Sequence, residues 1–299
     1  MDLSNFPLTK PLANRFREIV SGSKDGAPKW VSEMETGDAG LFGIDSAVWQ
    51  VHGSVSTIVG GVRALLLQAA HPAALTGVAE NSRYESDPIG RLIGTTKWLT
   101  ITTFGSTEAI EREARRVNEM HKRVVGEFKN HDGKSEHYEA RNPKFLLWVH
   151  CAFTDAFLKS HLALGHTIDK GADQYIKEWA KSAKPLGLDT APQSLVELEA
   201  ELNRFRREEL GRTDRTTDVV KFILKPPFSK VGLLFYSVMA NAAIATLDDF
   251  DRELLGLKKR KKFWLKLARV LLNILSAILG HEPPAKKIAR KRVSDLSQT

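Results

Sequence analysis

Four polar side chains stand out between Gly60 and Gly126 of this 299-residue chain: His71, Arg91, Thr95 and His121. Each falls in a helical pattern at a place that otherwise takes apolar or neutral residues. Turning such groups inward costs several kcal/mol unless each meets a partner. A bound, charged, flat cofactor is a partner for all of them. His121 has the clearest position. It interrupts a stripe of Ile110, Ala114, Val117 and Val124 at helical spacing, so it faces a core. A neutral histidine bonded to a backbone carbonyl satisfies that pattern. So does an axial ligand to haem iron, which needs a rigid element and apolar surroundings.

Arg91 and Thr95 stand four apart and share a helix face. Arg91 suits a haem propionate or the polarisation of a bound oxygen species, and Thr95 can donate a hydrogen bond into the same pocket. The plainer reading is a surface pairing of Arg91 with Asp87 and a threonine back-bonded to its own helix. His71 precedes Pro72, which cannot donate to the Gln68 carbonyl and clashes with it. The helix should kink or end near residues 68–72, leaving His71 either to meet a ligand or to cap the break. His150 shares an apolar face with Leu146, Phe153 and Phe157 and competes with His121 as ligand; His52 and His161 are weaker rivals.

Other chemistries leave less trace. The chain has no paired Glu-x-x-His for a di-iron carboxylate bundle. It has no H-E-x-x-H, no G-x-S-x-G, no Walker loop and no G-x-G-x-x-G after a strand. Cys151 is the single cysteine, which excludes an internal disulfide, a Cys-rich metal site and covalent haem attachment through C-x-x-C-H. These absences favour a histidine-ligated cofactor or no catalysis.

The elements that must position these residues read as helices. Asp87-Pro88 is an N-cap with proline at the first helical position and opens a helix through about Thr103. Gly105-Ser106-Thr107 ends that run and caps the next. Asn142-Pro143 opens another, and Ser194-x-x-Glu197 is a capping box ahead of Leu195, Leu198, Leu202 and Phe205. Residues 46–70 hold enough Val, Ser and Thr for a strand, yet the continuation into RALLLQAA favours helix. Val231 to Leu247 is uncharged but short for a membrane span, so it reads as a buried core helix.

Charge is concentrated at one end. Residues 258–299 hold twelve Lys/Arg against Glu282 and Asp295, a balance of +10, so the rest of a chain of net +8 sums to −2. A nearly neutral body argues against nucleic-acid binding. Residues 258–292, in which KKRKK precedes the apolar run from Phe263 to Leu279, have the make-up of an interfacial anchor for an anionic membrane, with Phe263, Trp264, Leu267 and Leu271 as the side chains it would bury. No secretory signal is visible at the N-terminus, which suggests a cytoplasmic protein, peripheral to membrane if the C-terminus anchors.

From about Leu41 to Leu164 the chain resembles the haem-dependent oxygenase domain of the latex-clearing rubber oxygenases and of the endoplasmic-reticulum-bound oxygenase of mycophenolic acid synthesis. The resemblance lies in RALLLQAAHP (63–72), ENSRYESDPIGRLIGTT (80–96), FGSTEAIEREARRVNEMHKRVVG (104–126) and YEARNPKFLLWVH (138–150), taken in order and spacing. It implies a globin-like all-α core holding haem b, with the axial histidine at His121 and the family's Arg-x-x-x-Thr signature at Arg91 and Thr95. Gly94 stands where the rubber enzymes carry a lysine, and their catalytic glutamate has no clear counterpart near Leu75, Glu80 being close in sequence.

The expectation is therefore an all-α, single multi-helix domain: residues 1–40 an N-terminal extension, 41–257 the haem oxygenase-like body and 258–299 a basic amphipathic extension. The expected activity is a haem b-dependent oxygenation of a hydrophobic alkene or isoprenoid-like molecule by dioxygen, with His121 on the iron, His150 as the other ligand candidate and Arg91, Thr95 and His71 around the reacting centre. The competing readings are a haem-binding sensor or carrier and a haem-free helical interaction protein.

Overall fold

Helix follows helix along the chain because capping residues and prolines cut it into amphipathic pieces. The computed structural model describes residues 9–23, 27–81, 87–130 and 132–297. Within them the helices are α1 (Lys10–Ser21), α2 (Lys29–Ser32), α3 (Ala47–His52), α4 (Thr57–Gln68), α5 (Pro72–Asn81), α6 (Pro88–Phe104) and α7 (Thr107–His121). A hairpin of β1 (Val125–Lys129) and β2 (Ser135–Glu139) follows. Then come α8 (Pro143–Ala163), α9 (Gly171–Trp179), two short 3-10 turns, α10 (Leu195–Glu208) and α11 (Thr216–Leu224). The chain ends in α12 (Lys230–Thr246), α13 (Asp249–Leu254), α14 (Phe263–Leu279) and α15 (Pro284–Leu296). The fold is predominantly all-α, a single helical domain.

The caps form as expected. Asp87 accepts from the Gly90 N–H, Ser106 from Ala109, Asn142 from Lys144 and Ser194 from Glu197. In the last of these Glu197 reaches back to the Gln193 N–H at 2.6 Å rather than to its cap residue. Residues 46–70 form two helices, broken at Gly53–Ser56.

The centre of the body is α4 against α8. The pair runs antiparallel, since Ser56 bonds His161 at one end and His71, beyond the other end of α4, meets Phe145 near the start of α8. Gly60 makes the close approach: a Cβ there would lie 2.6 Å from the Phe157 ring. Any larger residue would push the helices apart and open voids along the seam. On the same helix Arg63 is fully buried. It is ion-paired with Asp155, which also holds Lys159 at 3.2 Å. The chain of charges continues from Lys159 to Asp248 at 2.8 Å, and from Asp248 through Arg206 to Asp251, both at 2.6 Å. Alternating signs and multiple hydrogen bonds are what make buried charge tolerable.

Both ends of the chain, expected as extensions, pack into the body. Val31 and Met34 join the same apolar cluster as α4 and α8, and so do Ala268, Leu272 and Leu275 of α14 and Ala285 and Ala289 of α15. Arg292 reaches inward to the Met34 and Phe104 carbonyls at 2.6 and 2.8 Å, and Asp38 accepts from the Thr107 N–H at 2.7 Å. Helix α12, uncharged after Lys230, is buried only over its second half, from Val238 to Ile244; Val231 and Leu234 are exposed. Among the described residues no single helix is long and apolar enough to cross a membrane; only the bent pair α14–α15, 63° apart, qualifies by length and composition.

The β-hairpin breaks the all-helical expectation for the body. Its turn is built by Asn130, whose side chain accepts from the Asp132 and Lys134 N–H groups while Gly133 takes φ of 79°. Phe128 and Tyr138 point to the same side and are buried with Ala73, Ala140 and Phe145.

Candidate active site

His121 sits at the C-terminus of α7, and its position follows from how α6 and α7 are joined. Lys97 and Glu113 each lie eight residues from Gly105 and pair at 3.1 Å, so the two helices form an antiparallel hairpin. Glu113 is buried and also takes Arg116 at 2.6 Å, which fixes the register. That register carries the N-terminal turns of α6, with Arg91, to the same end as His121. Four residues beyond His121 the chain enters the β-hairpin, and the Ala140 N–H donates to the Val124 carbonyl at 3.0 Å. This brings β2 and its Tyr138 into the same neighbourhood. Tyr138 packs against α5 so tightly that a Cβ on Gly77 would lie 2.4 Å from its ring.

The electrostatics follow from burial. Burial lowers the pKa of His121 below the ordinary histidine value, so its imidazole is neutral at neutral pH. Nδ1 of the ring is buried and has no hydrogen-bond partner among the described residues. Burial also lowers the Arg91 pKa, and the neighbouring Tyr138 phenol opposes that shift. The Tyr138 hydroxyl is pushed up to about 12 by burial, with the Arg91 guanidinium pulling the other way. Arg91 and Tyr138 are therefore near enough for each to influence the charge of the other. Tyr138 was not among the residues that the sequence singled out; Asp132-Gly133, a hairpin dipeptide with Phe128 and Tyr138 on either side, was the signal that would have found it.

Thr95 lies on the exposed side of α6, and its hydroxyl donates to the Arg91 carbonyl at 3.2 Å. The donor is thus used by the helix, leaving the oxygen as an acceptor. Gly94 opens on space: a Cβ there would meet nothing within 4 Å. Glu80 lies outside the residues whose side chains are described.

His71 differs from its expected place at the reacting centre. Helix α4 does end at Gln68 and α5 does start at Pro72, but His71 closes the gap between them. Its Nδ1 accepts from the Ala73 N–H at 3.2 Å and its Nε2–H donates to Glu209 at 3.3 Å. Neither nitrogen remains for iron. Glu209 also binds Lys144 at 3.2 Å and Arg204 at 2.8 Å. Burial alone would raise its pKa, but the bonds from His71 and Arg204 and the Lys144 charge hold it at about 2. His71 is a structural pin between the α4–α5 break and the end of α10.

His150 lies further along α8. Its ring is nearly parallel to Trp179, with centroids 6.5 Å apart, and burial lowers its pKa to about 4. Its Nε2 is buried without a partner among the described residues, and so is Nε1 of Trp179. The remaining histidines of the interior are satisfied. His52 bonds Thr103 at 3.0 Å and Tyr175 at 2.9 Å, and His161 bonds Ser56 at 3.0 Å and the Thr167 carbonyl at 3.3 Å. No group of three or more His, Cys, Asp or Glu side chains among the described residues could hold a metal ion by itself. An iron at this site would therefore come with a macrocycle that supplies most of its ligands, and one neutral imidazole suffices for that. The residues present fit such a group.

No curated protein and no solved structure matches the chain. The sequence pattern of the catalytic domain of the ER-bound oxygenases mpaB/B' and of rubber oxygenase matches residues 49–277, which contain α4 to α13, the whole α6–α7 hairpin and most of α14. The chain belongs to the ER-bound oxygenase mpaB/B'/Rubber oxygenase catalytic-domain family and is an oxidoreductase.

Proposed function

We propose that this oxygenase domain binds haem b through His121 and uses dioxygen to oxidise a hydrophobic small molecule, an alkene or isoprenoid-like compound. The observation that supports it is the Nδ1 of a neutral His121, buried and without a partner among the described residues, at the same end of the α6–α7 hairpin as Arg91. A buried polar atom left without a partner costs about 1–3 kcal/mol. A ligand that engages the imidazole removes that cost, and a neutral ring is the ligating form. Haem b, when bound, supplies the dioxygen chemistry.

The chain's own residues then have limited tasks. His121 holds the group on a helix whose register is locked by Glu113. Arg91 presents a half-buried positive charge for a propionate or for a bound oxygen species, and Tyr138, protonated to about pH 12, can donate beside it. Thr95 offers an acceptor one turn along α6. Gly94, where a Cβ would meet nothing within 4 Å, leaves room on that face of α6 for substrate or macrocycle. His150 is the second candidate ligand, because its Nε2 is also buried and unpartnered.

Purified protein is expected to show a Soret band, and the haem-loaded protein to take up oxygen when given members of a panel of isoprenoids. A haem protein that binds oxygen stably and consumes none with any alkene would be a sensor or carrier. A protein that takes no haem would be a helical interaction protein with orphaned histidines.

A further inference from the structure

The outer face of α14 has no use in the packing of the body. Its inner side buries Ala268, Leu272, Leu275 and Ile278. On the outer side Phe263, Val270 and Ile274 are 59%, 55% and 49% exposed. At 100° per residue these three fall within one narrow stripe. Lys262 and Lys266, both exposed, border it on one side, and Arg269 is exposed as well. From Leu254 to His281 the chain carries seven Lys/Arg and no Asp or Glu. Among the described residues only Lys259 of this group has an ion-pair partner, Asp249 at 3.5 Å. Phe263 and Trp264 stand edge to face at the start of the helix, 5.8 Å between centroids.

We infer that this face docks on an anionic phospholipid surface, with α14 lying in the plane of the headgroups. Charge complementarity selects the partner. A row of apolar side chains edged by lysines is poor material for a protein interface, whose core is depleted in lysine. It suits a lipid interface, where lysine stems lie along the acyl boundary and the ammonium groups reach the phosphates. An aromatic pair at the end of the stripe suits the headgroup level. The rest of α14 and all of α15 stay packed in the body, so the contact is peripheral. Docking rests on the oxygenase reading only for its purpose, which is to bring the protein to where an apolar substrate dissolves; the contact itself needs no haem.

The test is co-sedimentation of the full chain with vesicles of phosphatidylserine in phosphatidylcholine, against phosphatidylcholine alone. Pelleting is expected with the anionic vesicles, weakening as salt rises. The triple variant Phe263→Glu, Val270→Glu, Ile274→Glu is expected to bind at least tenfold more weakly. Replacing Lys258, Lys259, Lys261 and Lys262 by Gln is expected to cost up to about fivefold for each lysine at the surface. Val196→Glu, at a still more exposed valine on α10, should change nothing. Circular dichroism shows whether each variant is folded, and the lysine set decides if the triple variant is not. Equal binding to neutral vesicles, no binding to anionic ones, or unchanged binding by the folded variants overturns the docking face. Lipid-free dimerisation that the triple variant abolishes assigns the face to a second copy instead and overturns it too. Haem absorbance read in the same samples keeps the two proposals apart, since vesicle binding without haem contradicts only the oxygenase reading.

Discussion

Arg91 is the side chain whose substitution separates chemistry from folding. Arg91 sits on the first turns of α6, where it is half-buried and supports no part of the main apolar cluster. Arg91→Ala is expected to lower haem occupancy and oxygen uptake while moving the thermal midpoint little, because helix residues outside the core usually change stability by about 0.5 kcal/mol or less. Full occupancy and turnover in that variant would make Arg91 an ordinary helix residue. His71 shows the limit of reading single residues. Its place before Pro72 marked a break in the helix, and the break is there. What the ring does at the break depended on Glu209, 138 residues away, and no local pattern reports such a partner.

Elements were more legible than side-chain roles. The helices α6 and α7, though not their pairing, followed from Asp87-Pro88 and Gly105-Ser106, because caps and prolines act within a few residues of themselves. The Arg63–Asp155 pair did not, since RALLLQAA reads as an apolar helix whose arginine would turn outward. The α4–α8 seam holds it inside, along with the charges that continue to Asp251. Asp155→Ala would leave Arg63 buried with only a backbone and a hydroxyl oxygen of Thr246. A loss of about 3–5 kcal/mol is expected, read from denaturant unfolding. A loss under about 1 kcal/mol would mean that water replaces the carboxylate and that the seam is looser than described. The β-hairpin was missed because its strands are short and carry charged residues on the exposed side, which leaves Asp132-Gly133 as its only strong mark.

At the scale of the molecule, the buried histidines set the response to acid. His52 is held at about 3 and His150 at about 4, in both cases chiefly by burial, against an ordinary value of 6.5. Folded pKa values below the unfolded one mean that the unfolded chain binds more protons between the two. Stability is therefore full above pH 6.5 and falls as pH drops from 6.5 towards 4, by up to about 1.4 kcal/mol per pH unit for each group. His161, lowered to about 4, adds to the same trend. The thermal midpoint is expected to fall steadily over this window, and less steeply in His52→Gln. A midpoint that holds from pH 6.5 to 4 would show that these rings are already charged or hydrated in the folded state.

The placement of His121 is the claim on which the oxygenase reading turns. The most direct measurement is the absorption spectrum of the haem-reconstituted protein beside those of His121→Ala and His150→Ala. A Soret band is expected in the parent chain, with its loss or a change of spin state in His121→Ala and a spectrum close to the parent's in His150→Ala. An unchanged spectrum in His121→Ala, with loss in His150→Ala, would contradict it and move the iron to α8 beside Trp179.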